Sequence, residues 1–213
     1  AFKAVSNLYG TNERSEYIFR DSLSKMEHLI RLKVDPSELL KSPIKTLRLL
    51  PFLVNALPKR ILFNKRVLQF ETRIGQLPLI KSWPEDGGAF ITLPQVISFP
   101  PNSKSLKEAN VGMYRIQLTG NQYHLDQEVG LHYQLHRGIG IHHKAFNQTD
   151  KEFKISVGIG GPPAYSLGSI FPLPEGLSEI LFSGLLGNRR YPYTWQDGYF
   201  IPVEADFCIT GIV

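Results

Sequence analysis

The run Asn110-Val111-Gly112-Met113-Tyr114-Arg115, followed after a turn signal by His136-Arg137-Gly138, sets an amide, a guanidinium and an imidazole on neighbouring extended segments. Such a set suits an anionic ligand bridged by a metal better than it suits a core. From Val129 to His136 the chain alternates. Val129, Leu131, Tyr133 and Leu135 share a face that belongs in a core, while His132, Gln134 and His136 share one that either meets water or lines a site. Thr119-Gly120-Asn121-Gln122 predicts a hairpin that brings Tyr114 and Arg115 near the returning chain. Asn110 and Arg115 fall on opposite faces of an ideal strand, so either Asn110 lies in the preceding loop or a bulge reorients the chain. Ser178-Glu179 precedes the apolar positions Ile180, Leu181, Phe182, Leu185 and Leu186. The Glu179 carboxylate therefore falls in the first turn of a predicted helix, where the dipole favours negative charge.

These groups need paired strands and a helix to hold them. Short apolar runs between Gly and Pro predict strands at 89–99, 111–118, 122–125, 129–136, 153–159 and 206–213, with helices at 138–146, 163–169 and 177–186, the last closed by Gly187. Upstream, Tyr17, Ile18, Leu23, Met26, Leu29, Ile30 and Val34 recur at helical spacing, which predicts an amphipathic helix over 13–33 ended by Asp35-Pro36. Two shorter helices are expected at 37–50 and 52–63, interrupted by Pro43, Pro51 and Pro58. The stripe Leu47, Leu49, Leu50, Leu53, Val54, Leu57, Ile61 and Leu62 among lysines and arginines is read as packing, against the competing reading of a helix lying on a membrane. The fold class is α+β, with a helical or α/β region over 1–75 and a β-rich region over 76–213.

At 213 residues and 42% hydrophobic, the chain can bury the core of one or two domains. Its net charge is +5, yet Lys and Arg are dispersed without a run of five, so the charge reads as a solvated basic surface and no nucleic-acid partner is expected. Cys208 is the only cysteine, which rules out an intrachain disulfide and fits a reducing compartment. Within Phe207-Cys208-Ile209 it reads as a small buried hydrophobe. No apolar stretch reaches the ~18 residues needed to cross a bilayer.

With Trp83-Pro84-Glu85-Asp86-Gly87-Gly88 upstream and Pro174-Glu175-Gly176-Leu177-Ser178-Glu179 downstream, these motifs resemble the UbiD family of non-oxidative decarboxylases, which use prenylated FMN. The resemblance runs from Phe2-Lys3-Ala4 to Ile201-Pro202-Val203-Glu204-Ala205-Asp206, and four ordered motifs are far more specific than one. It implies a split β-barrel flavin-binding domain over 76–213, preceded by an incomplete helical or α/β region over 1–75. It implies that Asn110, His136 and Glu179 bind a divalent ion, usually Mn2+, with K+ as a further ion, bridging the flavin phosphate. Met113, Tyr114, Arg115, His132, Tyr133, Gln134, Arg137 and Gly138 match positions that contact the flavin, and Arg115 is expected to be catalytic by pairing with the substrate carboxylate. Glu175 competes for the metal role. Glu179 is preferred because relatives that lack an acid at the first position keep one at the second.

The implied activity is reversible removal of CO2 from an aromatic or α,β-unsaturated carboxylic acid, with 4-hydroxy-3-polyprenylbenzoate of ubiquinone biosynthesis as the expected substrate. The implied partners are a flavin prenyltransferase that supplies the cofactor and further copies of the chain in a homo-oligomer. A cytoplasmic location with peripheral contact to the inner membrane is implied as well. The family's proton-donating acid lies in a Glu-Gly-Pro-Phe/Tyr-Gly-Glu/Asp segment that this sequence lacks. The acids are therefore expected beyond Val213, and this chain is expected to be an inactive piece of a longer decarboxylase.

Two other readings stand beside this one: a non-catalytic flavin-binding or oligomerising module, and a flavin-free metal-dependent β-barrel enzyme built on His132, His136 and Glu179. Some residues carry blander expectations. His142-His143 reads as a surface pair. Gly158-Ile159-Gly160-Gly161-Pro162-Pro163 lacks the Lys-Ser/Thr of a phosphate loop, and Glu85-Asp86-Gly87-Gly88 reads as a turn without a catalytic role.

Overall fold

Thr11 accepts a hydrogen bond from the Arg14 amide and starts α1 (Asn12–Phe19), with Glu13 in its first turn. The single helix expected over 13–33 is two, because the chain breaks before α2 (Leu23–Val34). Ser22 is the cause: it is buried, and its hydroxyl donates to the Leu186 carbonyl 2.6 Å away, satisfying a carbonyl in the last turn of a distant helix. In this computed structural model, residues 5–37, 41, 43–136, 138–173 and 177–213 are described. The opening Phe2-Lys3-Ala4 motif and Pro174-Glu175-Gly176 lie outside them.

Two short helices follow, α3 (Pro43–Leu47) and α4 (Leu50–Leu53), and a 3-10 turn at Val54–Ala56 replaces the helix expected to run to 63. Pro58 then extends the chain into β1 (Lys59–Arg60). The packing reading of the leucine stripe holds only in part. Leu49 is buried, together with Phe52 from outside the stripe, while Leu47, Leu50, Leu53, Val54, Leu57 and Leu62 are exposed.

The remaining strands are β2 (Phe90–Ile91), β3 (Gln95–Ser98), β4 (Asn110–Gly112), β5 (Ile116–Gln117), β6 (Gly130–Leu131), β7 (Lys154–Ile159), β8 (Pro192–Gln196), β9 (Tyr199–Pro202) and β10 (Phe207–Ile212). Among the described residues they form three open sheets, in the orders β1-β8-β9, β10-β7-β3-β4 and β2-β5-β6. Three helices complete the chain: α5 (Gly138–Phe146), α6 (Pro163–Gly168) and α7 (Glu179–Leu186).

Strand alternation assigns the faces of the four-stranded sheet. Val96, Ile155 and Val157 point into a core shared with Ile116, Leu118 and Ile139, while Ile97 and Val111 join Tyr165, Ile180, Phe182 and Tyr191 on the other side. The predicted strand 111–118 is divided between two sheets, so neither the loop nor the bulge alternative for Asn110 describes it. Asn110 opens β4, and residues 113–115 carry the chain across to β5. The strand expected at 122–125 does not form, and the one expected over 129–136 stops at Leu131, where the chain heads through a turn at 135–136 into α5. Leu135, assigned to a core face, is consequently 78% exposed. Trp195 and Phe200 face each other in an unpredicted hairpin, β8–β9, turned by Asp197-Gly198 with φ of 51° and 84°.

Candidate functional site

β4 is the edge strand of its sheet, so alternate backbone amides on it find no strand partner. Glu179, presented by the first turn of α7, fills one such gap: its Oε2 accepts from the Val111 N–H at 3.3 Å. Ser178 caps the helix and sets this orientation. Burial raises the Glu179 carboxyl above the usual carboxylate range, against the lowering effect of its own amide and that of Val111. No cation pairs with it among the described residues. One residue earlier on β4, the Asn110 Nδ2 is buried without an acceptor. The Asn110 amide also lies so close to the start of α5 that a Cβ at Gly138 would stand 1.9 Å from its Oδ1. Gly138 is thus required by close approach. The free edge of one sheet therefore gathers a desolvated carboxylate, an unsatisfied buried amide and a helix start.

A second cluster lies at β5. The Arg115 Nη2 is 3.0 and 3.1 Å from the two oxygens of Asp86, and its guanidinium carbon sits 4.0 Å from the centre of the Phe90 ring. His132, whose amide donates to the Arg115 carbonyl, meets the same Phe90 edge-on at 5.8 Å. Tyr114 packs edge-on to Tyr133 at 6.4 Å, and the Tyr133 hydroxyl hydrogen-bonds His143 Nδ1. Met113 is half-buried, and Gln134 and His136 are exposed. Arg137 lies outside the described residues, as does Glu175.

The structure therefore brings Asn110, Glu179 and Gly138 together, and Arg115 with His132. His136 sits on the exposed turn two residues before Gly138. Among the described residues no three His, Cys, Asp or Glu side chains are placed to hold a metal, so the flavin-free centre of His132, His136 and Glu179 does not form. His132 is drawn to Phe90 instead.

Asp86 was missed by the sequence reading, which took its segment as a turn. The turn is real, and it aims a carboxylate at Arg115. The expectation of a surface pair at His142-His143 is also corrected: both are half-buried, with His142 Nδ1 bonded to the buried Ser98 hydroxyl at 2.9 Å. Burial lowers the His142 pKa, partly opposed by Glu108. Cys208 is half-buried, and desolvation pushes its thiol up to about 12, so it stays neutral. A cavity of about 540 Å³ lies on the other face of the four-stranded sheet, floored by Ile97, Phe99, Trp195 and Phe200. None of the residues above lines it, and the chemistry argues for the β4 edge.

The donor set at that edge fits a hard or borderline cation. A positive ion would stabilise the carboxylate that burial leaves uncompensated and could take the Asn110 Oδ1 as a ligand, while the unpartnered Asn110 Nδ2, a donor, and the bare Gly138 backbone suit an anionic group close by. No helix among the described residues is long and apolar enough to cross a membrane.

Comparison with known proteins shows the family. The UbiD profile, described as 3-octaprenyl-4-hydroxybenzoate carboxy-lyase Rift-related domain, matches residues 59–213. A Chlamydia pneumoniae protein named as one of the subunits of a 4-hydroxybenzoate decarboxylase is 33% identical over 99% of this chain, and an uncharacterised Aquifex aeolicus protein is 30% identical over 98%. The chain spans 35% and 43% of those two relatives' lengths.

Among solved structures, the UbiD-class enzyme HmfF from Pelotomaculum thermopropionicum in complex with FMN aligns with a TM-score of 0.63 at 21% identity, over 76% of this chain and 37% of that one. The vanillic acid decarboxylase of Sedimentibacter hydroxybenzoicus in closed form gives 0.60 at 21%, over 76% and 36%. These two likenesses concern the fold. Together with the profile, which covers most of the sequence and includes every residue of both clusters, they lead to one assignment: the chain belongs to the UbiD family of carboxy-lyases.

Proposed function

We propose that this chain supplies the cofactor-holding part of a UbiD-type decarboxylase that removes CO2, reversibly and without net oxidation, from an aromatic or α,β-unsaturated carboxylic acid. The observation that carries this reading is the juxtaposition, at one sheet edge, of the Glu179 carboxylate on the Val111 amide and the unpartnered Asn110 Nδ2 one residue away on the strand. Asn110 and Glu179, with His136 from the adjoining turn, would hold a divalent ion, Mn2+ by the family's habit and with K+ as a further ion. That ion would offset repulsion between Glu179 and a flavin phosphate. Met113, Tyr114, Arg115, His132, Tyr133, Gln134, Arg137 and Gly138 would line the flavin. A prenylated FMN in that place supplies the electron sink that a decarboxylation needs.

This chain's own residues bind and orient. Arg115 would pair with the substrate carboxylate, with Phe90 backing the guanidinium, and the apolar cluster that Val96 and Val157 share with Ile116 would join two sheets as the halves of a split barrel. Residues 76–213 would form this flavin-binding unit and residues 1–75 the start of another. HmfF has also been solved with prFMN, which supports the cofactor. The relative named for 4-hydroxybenzoate supports a hydroxylated aromatic acid, and 4-hydroxy-3-polyprenylbenzoate of ubiquinone synthesis is the substrate we favour. A flavin prenyltransferase as supplier, assembly into a homo-oligomer, a cytoplasmic location and a peripheral contact at the inner membrane complete the proposal.

The test is metal content and flavin absorbance of the native gene product after co-expression with a flavin prenyltransferase. Wild type should carry both, and Glu179→Ala should lose both together. Full retention in that variant would remove Glu179 from the site.

A further inference from the structure

We propose that Asp86 is a positioning residue that tempers Arg115, holding its guanidinium in place while weakening its grip on the substrate carboxylate. This rests on reading Arg115 as the group that meets that carboxylate. Both Asp86 oxygens address a single nitrogen, Nη2, and among the described residues no acceptor lies against Nη1 or Nε, so one end of the fork stays open to a ligand. Exposure agrees: the Asp86 side chain is 12% exposed and that of Arg115 43%.

Asp86 is itself fixed. The Trp83 amide donates to its Oδ2 at 3.3 Å, and the Asp86 amide returns a bond to the Trp83 carbonyl at 3.1 Å. The loop is fastened to the hairpin beside β5 by Ala89 N–H to Thr119 Oγ1 at 2.9 Å and Leu118 N–H to the Ala89 carbonyl at 2.8 Å. Gly120, at φ 95°, lies so near this loop that a Cβ would stand 1.5 Å from the Gly87 carbonyl oxygen.

The chemistry gives this arrangement a purpose. Decarboxylation turns a charged carboxylate into neutral CO2, so an uncompensated guanidinium would stabilise the reactant more than the transition state and raise the barrier. An aspartate already sharing the positive charge lets Arg115 orient the carboxylate without overbinding it. Phe90 gives the planar fork a wall to lie against, so the orientation survives.

The experiment is calorimetric titration of the native gene product, before cofactor loading, with 4-hydroxybenzoate and with its uncharged analogue 4-hydroxybenzamide, followed by steady-state kinetics of the loaded enzyme. Asp86→Asn should bind the acid about five-fold more tightly than wild type with the amide unchanged, and should lower KM and kcat together. Asp86→Glu should return both towards wild type. Asp86→Ser, which keeps an acceptor for the Trp83 amide, repeats the test if the first variant fails to fold. Arg115→Ala should abolish the preference for acid over amide. If it does not, the reading of Arg115 falls and this inference with it. If Arg115→Ala does abolish it, but Asp86→Asn and Asp86→Ser bind the acid no more tightly than wild type, the inference alone is overturned.

Discussion

Two carboxylates in this molecule live under opposite regimes. Asp86 faces a guanidinium at 3.0 and 3.1 Å, its charge compensated within the chain. Glu179 is desolvated, holds one backbone amide and has no cationic partner among the described residues. The first arrangement is complete as it stands; the second is stabilised by whatever brings positive charge to it. A folded chain tolerates such a deficit where binding can make it good, and under the proposed function the contrast would put ligand affinity at the β4 edge and ligand orientation at β5.

The strongest way to break this contrast is to pull the Asp86 loop off its hairpin. Gly120→Ala places a side chain at positive φ against the Gly87 carbonyl, and should cost about 2–4 kcal/mol in urea denaturation. Next comes Ser98→Ala, which leaves His142 half-buried without its partner. A loss of about 1–2 kcal/mol is expected by the same measurement, and it should not alter metal retention.

Glu179→Gln sharpens the comparison through pH. Because burial raises the folded-state pKa of Glu179, its contribution is fully favourable below the unfolded carboxyl value and declines as pH rises through the folded one. Metal-free wild type should therefore lose stability across that rise, and the variant should lose less, a difference of about 1 kcal/mol at neutral pH in thermal melts. Adding Mn2+ should restore wild type and leave the variant unmoved. The smallest effect belongs to Asp86→Ala, whose partly exposed ion pair should be worth only about 0.5–1 kcal/mol of stability despite its larger consequence for binding.

Much of this was legible before the fold was known. The α5 helix was read at both of its bounds, and β7, α6 and α7 within about two residues, because their apolar periodicity and Pro or Gly punctuation are local signals. The motifs containing Asn110 and Glu179 were legible too, as a resemblance. What escaped was non-local. Nothing in Met113-Tyr114-Arg115 announces that the chain changes sheets there, since both halves keep strand-like composition. Asp197-Gly198, by contrast, is itself a local hairpin signal, and the flanking Tyr193, Trp195 and Tyr199 have the aromatic composition of strands. Asp86 looked like a turn residue because its partner lies on another strand, and only tertiary proximity makes it chemical.

The parallel pairing of β1 with β8 has a temporal consequence. β1 runs parallel to β8 over two residues, held by the Lys59 and Ile61 amides at 2.7 Å and by Arg190 bonding to the Leu57 carbonyl across 133 positions of chain. Closing so long a span for so few bonds is slow and weakly rewarded, so this strip should dock last during folding and open first under thermal agitation. Amide deuterium uptake at Lys59 and Ile61 should accordingly outrun that at Val96 and Val157.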